Sequence, residues 1–363
     1  MAAMLLNEMA RRPAPWLNGS GPDSGIVLSS RIRLARNISE FPFPPAATTD
    51  VREKIIDFMQ TAFSRVARMK AGGFFRSADI DSMDQMFLAE RHLISPQFMQ
   101  DGTGRGLFID ENEKVSIMLN EEDHIRLQVL SSGMSLYDCW EFANSLDSEI
   151  GDVLEYDFDD EFGFLTACPT NVGTGLRASI LIHLPGLALT REIDNVISRI
   201  SKVGLMVRGF YGEGTDVLGN LFQISNQTTL GRTEEEIIDS LSKVSKQIIE
   251  YERGAEETLM KDAPEQIEDK VWRSYGILTN ARVLTSNEVM NLLSALRLGL
   301  SLELIDRVDY KVLNELLIIT QPAHLQKYVG REMDTTERDM MRADLVRERI
   351  VPAVKYGSDT KQA

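Results

Sequence analysis

An α+β domain built on a largely antiparallel sheet flanked by helices, followed by an all-α domain, is what the sequence predicts. Three observations carry this. Short β-rich runs punctuated by Gly and Asn occupy the chain up to about residue 230, one pair of them reads as a hairpin, and from Thr233 onward apolar residues recur at helical spacing.

In chain order, "GIVLSSRIRLA" is the first strand, its alternate residues sharing a face. "VREKIIDFMQTAFSRVARM" has the period of a helix. "GRGLFIDENEKVSIMLN" places a polar Asp-Glu-Asn-Glu-Lys turn between two apolar runs, which calls for antiparallel pairing. "ASILIHLPGL" and "VGLMVRGFYG" supply further strands. Thr233 and Glu236 form a capping box ahead of a stripe of Ile237, Ile238, Leu241, Val244, Ile248 and Ile249. Pro264 opens another helix, and Thr285 with Glu288 forms a second capping box before "VMNLLSALRLGL". "DYKVLNELLII" and "TERDMMRADLVRERI" complete the helical part. The texture changes near residue 255, with "KDAP" as its loop, so the expected division is 1–23 as an N-terminal extension, 24–254 as one domain and 255–363 as a helical one.

Composition excludes several classes. No apolar run approaches the roughly 20 residues of a membrane span. "MAAMLLNEMARRPAPW" is too short in its apolar part for a secretory signal and has no clear cleavage site, so the expected location is the cytoplasm, with a targeting segment marked by Arg11 and Arg12 as the other reading. Two cysteines, Cys139 and Cys168, make neither a disulfide framework nor a CxxC metal site. Cys139 beside Trp140 reads as a buried thiol, and His183 and His324 have no partners in view. A formal charge of −16 opposes nucleic-acid binding and suits cationic partners.

The usual phosphate cradles are missing: there is no GxxxxGK[ST] and no strand-linked GxGxxG. Arginines stand instead in short polar contexts: Arg31 and Arg33 in "SSRIRLAR", Arg126 in "NEEDHIR", Arg177 in "GTGLR" and Arg208 in "VRGFYGEGT". Arg31 and Arg33 project from one face of a strand, two forks that repel unless an anion lies between them. Each charge-assisted hydrogen bond is worth about 1.5–3 kcal/mol, so several forks converging on a triphosphate could replace a glycine loop. Solvated surface charge is the other reading of each arginine. Carboxylates collect nearby in sequence, at Glu121, Glu122 and Asp123 and at Glu213 in "YGEGTD". Together these make a charge-sorted site, with forks for phosphate and carboxylates for a cation.

"SSRIRLARN", "PFP", "ERHLISPQF", "NEEDHIRL", "CPTNVGTGLRAS" and "RGFYGEGT...LFQISNQTTLG" occur in the order of the signature blocks of phosphagen (guanidino) kinases, and the chain resembles that family from residue 24 to about 254. The resemblance implies the phosphagen kinase catalytic fold and transfer of the γ-phosphoryl group of ATP to a guanidinium nitrogen, with Mg²⁺ accompanying the nucleotide and no protein metal site that the sequence can locate. It implies nucleotide contacts from Ser29, Ser30, Arg31, Ile32, Arg33, His92, Arg126, Arg177, Ala178, Ser179, Arg208, Gly209 and Gly212. Glu122 and Glu213 would clamp the guanidinium, with Cys168, as a thiolate, set against it.

Two departures bear on the substrate. Phosphagen kinases carry a helical domain before the first arginine motif, whereas 28 residues precede "SSRIRLAR" here. The helical C-terminal part contains "RDMMRA", which is similar to the segment of bacterial protein-arginine kinases associated with a phosphoarginine-binding regulatory pocket, here Arg338, Asp339, Arg342 and Ala343. An exposed helix with i,i+4 charges is the other reading of that segment. That resemblance implies protein substrates, marking for regulated degradation in protein quality control, an activator protein, Clp-type protease or unfoldase machinery and a homodimer. A kinase of free guanidino metabolites is the alternative, and a silent phosphoarginine reader is a third possibility, opposed by the presence of both glutamates, the cysteine and the five arginines.

A guanidinium is protonated at physiological pH and then is no nucleophile. A carboxylate near its reference pKa of about 4.3 cannot deprotonate it outright, so proton loss must be coupled to N–P bond formation. Glu122 is assigned as the base, Glu213 as the orienting partner and Cys168 as an electrostatic aid.

Overall fold

The computed structural model describes residues 2–100, 103–210 and 217–351. Its strands are β1 (Val27–Arg36), β2 (Gly73–Arg76), β3 (Gly106–Ile109), β4 (Val115–Leu119), β5 (Ile125–Ser132), β6 (Phe158–Asp159), β7 (Gly163–Phe164), β8 (Leu176–His183), β9 (Leu205–Gly209) and β10 (Leu221–Asn226). Its helices are α1 (Ala2–Arg11), α2 (Thr49–Phe63), α3 (Ser82–Glu90), α4 (Pro96–Gln100), α5 (Leu136–Gly151), α6 (Pro185–Leu189) and α7 (Ile193–Lys202). The helical part adds α8 (Glu234–Asp262), α9 (Pro264–Asn280), α10 (Ser286–Ser301), α11 (Tyr310–Ile319), α12 (Pro322–Val329) and α13 (Thr335–Ile350).

Eight strands form one sheet in the order β2-β3-β4-β5-β1-β8-β10-β9. Every ladder in it is antiparallel, as expected, and the 106–119 segment is the anticipated hairpin. β1 is central, paired with β5 on one side and β8 on the other. Period-two alternation splits its residues between two environments. Ile32 and Leu34, with Leu127, Ala178, Ile180 and Ile224 from neighbouring strands, join the main apolar core, to which α5 contributes Cys139 and Ala143 and α8 contributes Ile237, Leu241 and Ile248. The opposite face carries the arginines.

That second face is itself divided. Leu130, Leu181 and Leu221 lie on it and share an apolar cluster with Trp16 and Leu17 and with Leu293, Leu313 and Leu317 of α10 and α11. The helical part and the N-terminal segment therefore cover one part of the arginine face. The N-terminal segment is built in: Leu17 O accepts from Asn314 Nδ2 at 3.1 Å, and Leu6, Met9 and Ala10 pack with Phe87, Phe98 and Ala323.

Local signals mostly act as the sequence predicts. Thr233 and Glu236 form the reciprocal capping box, and Pro264 stands in the first turn of α9. Thr285 Oγ1 accepts from Glu288 N, but Thr285 N does not donate back to the Glu288 carboxylate, so the second box is half made. α8 runs unbroken through residue 255 and ends at Asp262. The two histidines expected without partners have them: His183 Nε2 lies 2.8 Å from Ser294 Oγ, and His324 Nε2 lies 3.2 Å from Ala10 O. Among the described residues no helix is long and apolar enough to cross a membrane.

Candidate active site

The pleat of β1 sends Ser29, Arg31 and Arg33 to one face, and the ladders bring matching cations alongside. Arg33 stands opposite Arg177 of β8 and Gln128 of β5; Arg31 stands opposite Ser179 and Leu130; Ala35 stands opposite Arg126. Arg208 joins from β9, two strands beyond β8. Four arginines, Arg33, Arg126, Arg177 and Arg208, line one cleft of about 630 Å³ together with Glu121, Glu122, Cys168, Gln97 and Pro45.

Clustering has an electrostatic signature. Burial first, then Arg126 and Arg177, pulls Arg31 down to about 10. Arg33 is driven well below the usual arginine range by burial and then by Arg31, Arg126 and Arg177, with Glu121 opposing. Arg33 Nε is buried and has no hydrogen-bond partner among the described residues. A basic group held this way is stabilised by an anion, so the floor of the cleft fits the phosphates of a nucleotide.

Glu121 is not free for a substrate cation. Its buried carboxylate pairs with Arg126 Nη1 at 2.6 Å and accepts from Ser95 Oγ. Burial pushes its pKa up, but Arg126 and the Ser95 bond outweigh that, and the net direction is down. Glu122, one residue on, is exposed and lines the cleft.

The segment from Cys168 to Arg177 turns back onto β8 through glycines that no other residue replaces. Gly173 has φ +107° and a Cβ there would come within 2.7 Å of Thr229 O; Gly175 has φ +62° and a Cβ would come within 2.5 Å of Ala35 O. Thr229 Oγ1 secures the loop by donating to Val172 O at 2.7 Å and Thr170 O at 3.0 Å. Cys168 is half-buried at the cleft wall, with Sγ 3.1 Å from Thr170 Oγ1.

The other anticipated nucleotide residues separate into groups. Ser29, Arg31, His92 and Ser179 line a neighbouring cavity of about 20 Å³ with Trp16 and Phe210, too small as it stands for more than a water. His92 stacks edge-on with Trp16 at 5.4 Å and Phe210 at 5.0 Å between ring centroids, and burial, with Arg31 adding, lowers its pKa to about 3. Ser30, Ile32 and Ala178 point away from the cleft: Ser30 Oγ bonds to Gly133 O on the far side of the sheet, and Ile32 and Ala178 belong to the main core. Their parity on the strand keeps their side chains from a ligand on the arginine face. Gly209 ends β9 and is buried. Gly212 and Glu213 lie outside the described residues. Among the described residues no group of three or more His, Cys, Asp or Glu could hold a metal ion.

The "RDMMRA" residues sit on α13, away from the cleft. Arg342 is buried, donating Nε to Thr320 O at 2.7 Å and Nη1 to Leu284 O at 2.8 Å, and it pairs with Asp339. An exposed helix face is therefore not the right description of Arg342. Arg338 is more open, donating to Met333 O at 2.7 Å and Thr335 Oγ1 at 3.1 Å, while Ala343 is fully buried. Glu90 of α3 lies in the field of Arg342 and Arg338, and accepts Ala323 N at 2.9 Å and His324 N at 2.7 Å at the start of α12. Neither Glu90 nor Asn37, which bonds to Asp123, stood out in the sequence; both act through partners 86 or more positions away.

Two family descriptions match the chain: "ATP:guanido phosphotransferase, C-terminal catalytic domain" over residues 54–255, and "Protein-arginine kinase McsB C-terminal domain" over residues 264–360. The chain is 45% identical over 351 residues to a protein-arginine kinase of Desulforamulus reducens, covering 96% of this chain and 98% of that one. It is 46% identical over 351 residues to one of Symbiobacterium thermophilum (95% and 99% covered), and 48% identical over 337 residues to one of Geobacillus stearothermophilus (92% and 93%). Among solved structures it is similar to lombricine kinase, with TM-score 0.59 and 25% identity over 70% of this chain and 76% of that one. A duplicated taurocyamine kinase from Schistosoma mansoni gives TM-score 0.58 at 25% identity over 73% of this chain and 39% of that one.

Proposed function

The chain belongs to the protein-arginine kinases of the ATP:guanido phosphotransferase family and is a phosphotransferase acting on a guanidino group, and from that premise we propose that it moves the γ-phosphoryl group of ATP to arginine side chains of other proteins. The observation that carries the proposal is the charge sorting of a single cleft, whose floor is Arg33, Arg126, Arg177 and Arg208 and whose wall holds Glu122 and Cys168.

ATP, which would carry Mg²⁺, supplies an electrophilic γ-phosphorus, and its bond to the leaving ADP oxygen breaks as the N–P bond forms. The four arginines hold the phosphates and oppose the charge that shifts onto the leaving oxygens. Glu122 takes the guanidinium proton as the N–P bond forms, which avoids a free neutral guanidine in water. Cys168 borders the same wall and assists electrostatically, without a covalent bond. Glu213 is assigned as the orienting carboxylate on sequence grounds. Arg31 supports the cluster from the adjoining cavity, next to His92.

We further read residues 24–254 as the catalytic unit and 255–363 as a helical unit whose Arg338, Asp339, Arg342 and Ala343 bind phosphoarginine. Marking of proteins for regulated degradation, an activator protein, Clp-type machinery, a homodimer and a cytoplasmic location rest on the family alone.

The test supplies labelled ATP with either free L-arginine or an arginine-containing basic protein, and quenches one half in acid and the other in base. Label on the protein that is lost in acid is expected, because an N–P bond is acid-labile and a serine or threonine phosphoester is not. Comparable turnover of free arginine shifts the reading to a metabolite kinase, and acid-stable protein label overturns it.

A further inference from the structure

Glu122 and Cys168 stand 46 positions apart in the sequence, and both line the cleft. Residue 123, between the cleft-facing Glu122 and the first residues of β5, turns the other way. Asp123 is 3% exposed and does not line the cleft. One of its oxygens, Oδ1, accepts two hydrogen bonds of 2.7 Å, from Asn37 Nδ2 and from the backbone N of Ala167, the residue just before Cys168.

Asn37 extends the connection. It directly follows Arg36, the last residue of the strand that bears Arg31 and Arg33, and is itself buried. Its Nδ2 also donates to Leu165 O at 3.1 Å, and its Oδ1 accepts His124 N at 2.9 Å. His124 Nδ1 accepts Ile38 N at 3.0 Å. The carboxylate turn, the cysteine loop and the end of the arginine strand thus meet at one buried pair of side chains, Asn37 and Asp123.

We infer that Asp123 is a positioning residue for phosphoryl transfer: by bridging Asn37 and Ala167 it fixes the separation of Glu122 from Cys168 across the guanidinium end of the cleft. The requirement is for a hydrogen-bond acceptor at Oδ1, not for a charge. Buried bonds of this kind set geometry, and displacement of a reacting group by about 1 Å can cost on the order of 100-fold in rate. The inference rests on the reading of Glu122 and Cys168 given above.

The experiment compares Asp123→Ala, which removes the acceptor, with Asp123→Asn, which keeps Oδ1 and loses the charge. Asp123→Ala is expected to lower kcat about 100-fold with KM for ATP unchanged, since the phosphate floor is untouched. Asp123→Asn should stay within about threefold of the parent, because a neutral acceptor retains roughly half the strength of a charged one. Alkylation of Cys168 by a small haloacetamide supplies a readout that needs no turnover, Cys139 being buried. It should quicken in Asp123→Ala, whose loop has lost the bond at Ala167, and stay at the parent rate in Asp123→Asn. In a Cys168→Ser background, Asp123→Ala should cost much less than it does alone. Should Asp123→Ala fail to fold, Asp123→Ser takes its place, its shorter hydroxyl reaching at most one of the two donors. Equal loss of activity in the Asn and Ala variants, alkylation that does not change, or losses that simply multiply with Cys168→Ser would each overturn the inference. Because alkylation is read without substrate, it still reports on the anchor if the kinase reading itself fails.

Discussion

Arg33 and Arg177 face each other directly across the β1–β8 ladder, two guanidinium groups on one rung of a sheet. Like charges so placed destabilise a sheet by about 0.2–1 kcal/mol, before the cost of burying them is counted. Arg33→Gln should therefore raise the melting temperature of the ligand-free protein while weakening ATP binding, and the stabilisation that ATP gives the parent should shrink in the variant. Calorimetry with and without nucleotide checks both. A variant less stable than the parent in the absence of ligand would show that the rung is not under charge strain.

Glu122 is exposed, and it is the neighbouring Glu121 that pairs with Arg126. Glu122→Gln is expected to reduce transfer by about 100- to 10,000-fold, the range for loss of a general base, with nucleotide affinity nearly unchanged. Turnover and ATP titration on the same preparation separate the two effects. Retained turnover removes the acid/base assignment.

Two arginines one helical turn apart on α13 should behave differently. Arg342→Ala leaves the carbonyls of Thr320 and Leu284 without a buried donor and should cost about 3–5 kcal/mol of stability. Arg338→Ala loses only part-exposed bonds, should change stability by less than about 1 kcal/mol, and should abolish binding of phosphoarginine with basal transfer preserved. Denaturant melts and a binding titration with phosphoarginine decide this. An Arg338 variant that still binds the ligand excludes that residue from the pocket.

Stability should fall as pH rises from about 6.5 to 8.5. Burial lifts Glu90 to about 7 and Glu252 to about 8, against hydrogen bonds from Ala323 and His324 to the first and from Leu187 and Gly186 to the second. A carboxyl raised above its unfolded value of 4.5 contributes stability that is complete below that value and is lost as pH climbs from there through the folded one. Each group can give a slope of up to about 1.4 kcal/mol per pH unit. His92 and His324, lowered to about 3, act in the opposite sense, but only below the unfolded histidine value of 6.5. Melting temperatures between pH 6.5 and 8.5 should decline and then level off, and a flat profile would show that neither carboxyl is held protonated.

The arginine face of β1 was legible because a strand has a period of two, and Arg31 and Arg33 are spaced to match it. The same period sends Ser30 and Ile32 to the far side, a consequence visible in the sequence once β1 is recognised. What could not be read were bonds between distant segments: Asp123 to Ala167, Glu90 to the start of α12, His183 to Ser294. A row of three carboxylates offers no local sign that Glu121 pairs with Arg126 while Asp123 turns to Asn37 and Ala167. Leu130 and Leu181 look like ordinary strand residues, and nothing near them announces a cover of helices from residues 286–319.

That cover has a consequence for the order in which the chain is made. Trp16 and Leu17, together with Leu28, Leu130 and Leu181, find their apolar partners at Leu293, Leu313 and Leu317, so residues near position 16 wait for residues made nearly 300 positions later. Until α10 and α11 emerge, a strip beside the arginines stays open to water, and closing it joins segments almost 300 residues apart, Leu17 to Asn314 among them. The nascent sheet is thus a half-product whose apolar strip needs shelter until residues 286–319 have been made.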